Sequence, residues 1–275
     1  MSDSVTAQRM SVLSLRRVAA MALRYLYLLR QSWPRILELM YWPTVQMVLW
    51  GFITVFLAGK TPWVAQAPGI FLSAVLLWDV LFRSQLGVSL VFMEEMWSRN
   101  LSQLFVSPLR PVELVFALLT ISLVRTLIGV CGAALIAIPI FDYSIFDLGL
   151  PLIAFFTNLI VMGWAVGLVV SGIILRYGLG AESIAWFAIF ALLPLSGVYY
   201  PISVLPGWVQ SISFFLPASH VFEGMRAVII DGAFRVDLLI NAVVLNALYL
   251  AAGLATFLYF FKVARRGGQL LQVGE

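Results

Sequence analysis

Three side chains carry charge where their neighbours are almost wholly apolar. Asp79 and Arg83 stand at i,i+4 spacing in one hydrophobic stretch, and Arg125 stands in the next. At 1.5 Å rise per residue, Arg83 lies roughly 16 Å along a helix from Glu94, and Arg125 roughly 18 Å from Glu113. Both guanidinium groups are therefore expected well inside a hydrocarbon layer about 30 Å thick. Charges at that depth are costly and face a bundle interior or a water-filled cavity. Two readings follow from the spacing. One is an internally paired cluster, Asp79 with Arg83 or Asp79 with Arg125. The other is a translocation path, formed by Asp79, Arg83 and Arg125, with one uncompensated positive charge. Neither is bond-making chemistry.

A second group of polar residues interrupts the apolar pattern at 93–111. Glu94 and Glu95 would lie in a first helical turn, where acids favour the positive end of the macrodipole. Met96, Trp97, Leu101, Leu104 and Phe105 recur at spacings near three and four, which predicts one short amphipathic helix. Ser107-Pro108 and Arg110-Pro111 end it, because proline lacks the amide donor and the residue before it avoids helical angles. The pattern reads as a docking helix in which Glu94, Glu95, Trp97, Arg99 and Leu101 meet a partner in the cytoplasm. The plainer reading is a polar loop lying in the headgroups.

Other candidate chemistry fails on its spacing. Gly59-Lys60-Thr61 invites a phosphate-binding reading, but Thr54 occupies the position that needs glycine, and Pro62 follows where a helix must begin. His220 is the only histidine and Cys131 the only cysteine, so neither a metal cluster nor a disulfide framework is available. His220 has no serine–acid catalytic pattern around it and reads as a hydrogen-bonded loop residue. No cofactor is expected on this chain, and no nucleic acid.

The elements that position these groups are transmembrane helices. The chain has 275 residues, 62% hydrophobic and 11% charged, with mean hydropathy +1.01, outside the range of soluble domains. Spans are expected at about 36–58, 68–92, 112–140, 150–175, 183–198 and 236–261. Residues 1–35 form a polar tail and a basic amphipathic helix. Its Arg9, Arg16, Arg17 and Arg24 fall mainly opposite the apolar face, as for a helix lying on an anionic leaflet. Gly163, Gly167 and Ser171 recur every four residues, a helix-packing stripe or, as runner-up, a dimer contact. Between 199 and 232, Pro201, Pro206 and Pro217 divide apolar pieces too short to span, and such backbone is tolerated only inside protein or along a cavity. With both ends inside, the cytoplasmic segments hold Arg9, Arg16, Arg17, Arg24, Arg30, Arg35, Arg99, Arg110, Arg176, Lys262, Arg265 and Arg266. Lys60, Arg226 and Arg235 remain outside, which agrees with the positive-inside rule.

Residues 94–111 followed by an apolar span resemble the loop between the second and third spans of ABC-2 type transporter permeases. The stretch from Tyr199 through Phe222-Glu223-Gly224-Met225-Arg226 resembles their re-entrant hairpin before the last span. The resemblance covers nearly the whole chain and implies an all-α membrane protein of six spans, of the compact bacterial branch, in the cytoplasmic (inner) membrane. It implies a coupling contact at 93–111 with a separate ATP-binding subunit that carries ATP and Mg. It also implies an extracytoplasmic gate around Tyr199, Tyr200, Pro201, Pro206 and Trp208. Cargo of that family includes polysaccharides, lipid-linked saccharides, teichoic acids, lipids and drugs. Few polar faces in one copy point to a homodimeric pathway. The rival readings are an ion-coupled secondary transporter using Asp79, and a membrane-embedded lipid-modifying enzyme. The first lacks visible inverted repeats. The second lacks converging acids, histidines or an activated nucleophile.

Overall fold

The structure, a computed structural model, describes residues 13–60 and 69–266. The polar tail, Arg9, Thr61, Pro62 and residue 68 at the start of the second span lie outside the described residues. Every regular element among the described residues is helical. The first helix is α1 (Leu15–Arg30), whose Met21, Ala22, Tyr25 and Leu29 make one buried stripe at helical spacing. Next come α2 (Trp33–Ala58), α3 (Gly69–Trp97), the short α4 (Leu101–Val106) and α5 (Pro111–Phe141). Then follow α6 (Leu150–Tyr177), α7 (Glu182–Leu195), α8 (Gly207–Phe214), α9 (Pro217–Asp231) and α10 (Val236–Arg266). Prolines in the first turns of α2, α5, α6 and α9 sit where an amide has no intrahelical acceptor to lose.

Five helices, α2, α3, α5, α6 and α10, are long and apolar enough to cross a membrane. The apolar α7, which fills most of the expected fifth span at 183–198, has 14 residues. That is roughly 21 Å of helix against hydrocarbon about 30 Å thick.

The bundle is built around α3. In its most apolar window 89% of residues are buried, against 22% for α2 and 17% for α10, so α3 is the core and those two are periphery. Close approach of α6 to α3 depends on the small-residue stripe. A Cβ on Gly163 would collide with the Ser84 hydroxyl, and one on Gly167 would stand 2.8 Å from the Gln85 carbonyl oxygen. The stripe therefore packs inside the protomer. On α10, a Cβ at Gly253 would lie 2.5 Å from the Ala165 carbonyl. Buried Asn246 donates from Nδ2 to Asn158 Oδ1 at 2.9 Å, tying α10 to α6 where few other polar partners exist.

The amphipathic helix expected over 94–105 is two pieces. Helix α3 runs on to Trp97, and the chain then turns through Arg99 at φ 55° before α4 begins. Asn100 N donates to Glu95 O at 3.1 Å and Arg99 N to Met96 O at 3.0 Å, the paired bonds of a left-handed helix stop. Arginine occupies the position usually given to glycine. Sequence periodicity cannot reveal such a stop, because both pieces keep the same apolar rhythm.

Candidate functional site

Three carboxylates organise the end of the bundle where α3 meets α5. Glu113, in the first turn of α5, is fully buried and accepts from Arg110 N at 3.0 Å, Ser14 N at 2.8 Å and the Arg17 guanidinium at 2.6 and 2.8 Å. The Glu113 carboxylate raises the Arg17 pKa above its ordinary value. Buried Glu95 accepts from Arg24 at 2.5 Å and from Asn100 Nδ2 at 2.7 Å. Burial pulls the Arg24 guanidinium down, yet the Glu95 hydrogen bond and charge leave it raised. Two arginines seven residues apart on α1 thus reach two acids on the bundle. They were expected to face lipid headgroups. Their seven-residue spacing, two helical turns, was the available signal for a common partner surface, and the proline two residues before Glu113 was the signal for its place in a first turn.

The third carboxylate takes Arg125. Glu94 Oε1 and Oε2 each accept from Arg125 Nη2 at 3.2 Å, and Glu94 also meets Arg35 at 3.5 Å. The expected alternative of Arg125 with Asp79 is therefore corrected. Depth reckoned along the backbone missed the reach of the side chains. Each leans toward the N-terminus of its own helix, and in antiparallel α3 and α5 those leanings bring Arg125 and Glu94 together.

Between α2, α3, α5 and α7 lies a cavity of about 380 Å³. Its charged lining is Arg35, Glu38, Arg83, Glu94 and Arg125, three guanidiniums against two carboxylates. Trp42, Phe82, Trp97 and Trp186 supply aromatic walls. Arg83 and Arg125 are thus brought to one space. Asp79 is buried nearby and is not among the lining residues.

Of the residues expected to dock a partner, Trp97 is 49% exposed and Arg99 is exposed. Glu95 and Leu101 are turned inward, Glu95 onto Arg24 and Leu101 into an apolar cluster with Leu29 and Leu114. Glu94 is half-buried on Arg125. Val106, at 89% exposure, joins the outward face and was not singled out from the sequence. The sequence model of the ABC-2 type transporter family matches residues 25–230, three quarters of the chain.

The chain belongs to the ABC-2 type transporter family. It is accordingly a multi-pass membrane protein and a transport component of an ABC transporter. No match was found among curated proteins.

At the opposite end of this ABC-2 chain, Tyr199 stacks on Trp50 at 4.2 Å, and Trp50 stacks in turn on Phe71 at 5.9 Å. Burial pushes the Tyr199 phenol up, to about 12, and the Asp79 carboxylate acts in the same direction. Tyr200 Oη donates to Pro194 O at 2.7 Å. Pro201 begins a short turn whose Ile202 N is held by Glu223 at 2.8 Å. Glu223 also accepts from the buried Arg226 at 3.0 Å. Pro206 and Trp208, at the start of α8, are exposed and stand apart from that network. His220 Nε2 bonds Phe214 O at 2.8 Å, a contact that joins α8 to α9. Among the described residues no group of three His, Cys, Asp or Glu is placed to hold a metal ion.

Proposed function

We propose that this permease is the membrane subunit of an ATP-driven exporter. It works as a homodimer beside a separate ATP-binding subunit that holds ATP and Mg. Residues 93–111 form the coupling contact on the cytoplasmic side, with both termini on that side of the cytoplasmic (inner) membrane. The observation that carries this reading is the braced turn at Trp97 to Arg99. It is exposed, yet Glu94 and Glu95 just before it, together with Glu113 in the first turn of α5, take five arginine or backbone contacts that link α1, α2, α3 and α5. A push on Trp97 or Arg99 is therefore passed to several helices with little slack.

In the same reading 183–198, which holds most of α7 and the turn after it, is a short fifth span of six, and 199–232 is a re-entrant hairpin closing the exit. Tyr199, Tyr200, Pro201, Pro206 and Trp208 belong to that outer gate. The Trp50–Tyr199 stack supports a closed resting state. The domain division is 1–35 for the tail and interfacial helix and 36–275 for the transmembrane domain of the compact branch. Cargo is a lipid-linked saccharide, polysaccharide, lipid or amphiphilic drug, passing through the space bordered by Arg83 and Arg125 with Asp79 beyond it. The test is reconstitution in vesicles with the ATP-binding subunit. Export that requires both chains supports the reading, and ATP-independent movement down an ion gradient overturns it.

A further inference from the structure

The pairing at the cavity leaves one cation over. Arg125 and Arg35 both rest on Glu94. Among the described residues Arg83 finds no hydrogen-bond or ion-pair partner, and its Nε is buried without an acceptor. The residue is only 9% exposed, yet it lines the cavity. Asp79 and Glu38 are its electrostatic neighbours, but neither closes to an ion pair. Asp79 is one turn away on the same helix and keeps an unpartnered oxygen of its own. Two groups at a spacing that permits pairing thus stand apart.

Shape, not a counter-charge, holds Arg83. A Cβ on Gly129 would lie 2.8 Å from Arg83 Nε, 2.9 Å from its Cδ and 2.7 Å from the Leu39 carbonyl oxygen. Helix α5 therefore has a glycine where the arginine stem crosses it, and any larger residue would displace the guanidinium. A desolvated cation without an acceptor is destabilising, and such groups persist where a ligand supplies what the protein lacks.

We propose that this cavity is a binding site for an oxyanion, a phosphate or carboxylate group carried on an apolar body, with the anion on Arg83 and the body against Trp42, Phe82 and Trp186. A planar guanidinium fits such a group with two parallel hydrogen bonds. The volume of about 380 Å³ exceeds what a bare anion needs and is within the range of small-ligand sites. The inference rests on the permease reading for its meaning as a cargo site, but binding itself needs neither ATP nor transport.

The test is titration of the full-length chain in nanodiscs of neutral lipid with decyl phosphate, inorganic phosphate and decanol. Decyl phosphate is expected to bind, and Arg83→Gln to weaken it about tenfold or more through loss of charged hydrogen bonds. Arg83→Lys should recover part of the affinity, and Gly129→Ala should weaken binding with the charge retained. Thermal unfolding of Arg83→Gln should occur at the parent temperature or higher, since an unpaired buried charge has been removed. Tighter binding of decyl phosphate than of inorganic phosphate assigns an amphiphile, and equal binding assigns a free anion. Both support the oxyanion seat. Equal affinity of Arg83→Gln and parent, decanol binding as tightly as decyl phosphate, or a lower unfolding temperature in Arg83→Gln overturns it. A chain that binds decyl phosphate but exports nothing with an ATP-binding subunit refutes the exporter reading alone.

Discussion

Arg125 and Glu94 meet at 3.2 Å although they lie on different helices and 31 residues apart in the sequence. The contact fixes α5 to the last turns of α3 immediately before the exposed Trp97. Arg125→Ala should destabilise the bundle by about 1–3 kcal/mol, the range for a charged hydrogen bond lost from a protected site. The double variant Arg125→Met with Glu94→Gln should cost less than the sum of the two single changes. Thermal unfolding of the four proteins measures this coupling, and strict additivity would contradict it.

Gly163 offers a contrast with Gly180. Gly163→Ala forces a methyl into Ser84 and should cost about 1–3 kcal/mol by overpacking. Nothing lies within 4 Å of the Cβ position at Gly180, so Gly180→Ala should leave stability nearly unchanged. Yields of monodisperse protein and unfolding temperatures separate the two. If Gly163→Ala instead alters only self-association, the stripe faces a second copy.

Arg99 sits in the left-handed region at the helix stop, where an L side chain costs about 1 kcal/mol relative to glycine. Arg99→Gly should therefore raise stability by about that amount. The same change should weaken attachment of the ATP-binding subunit. Unfolding temperature and co-purification, measured on one preparation, read both effects.

The proposed homodimer has its own test on the outward faces of α2 and α7. Leu49 and Val55 on α2 and Phe187 on α7 are among the large apolar residues left exposed in one copy. Single cysteines there, in a Cys131→Ser background, should cross-link two copies in native membranes. Persistent monomer from every position would count against twofold assembly.

Five of the expected spans were legible because each is a long apolar run that forms a helix long enough to cross a membrane, whereas the expected 183–198 gives only the 14-residue α7. The charged end was less legible. Arg17 finds Glu113 across 96 residues and Arg24 finds Glu95 across 71, pairings that no local pattern encodes. Amphipathic rhythm placed Glu95 and Leu101 on a docking face, but a stripe of apolar residues does not say whether it meets a partner or its own bundle. Leu101 meets its own bundle. The left-handed stop at Arg99 was hidden for a different reason, since arginine is not a residue that announces a turn.

The coupling role of the exposed turn is tested most directly by the double variant Trp97→Ala with Arg99→Glu. The apolar contact is removed and the charge reversed there, and none of the buried ion pairs is touched. In reconstituted vesicles the variant should be present at parental abundance, bind the ATP-binding subunit about tenfold more weakly or worse, and show hydrolysis no longer stimulated by cargo. Parental affinity together with parental cargo-stimulated hydrolysis would contradict the coupling role.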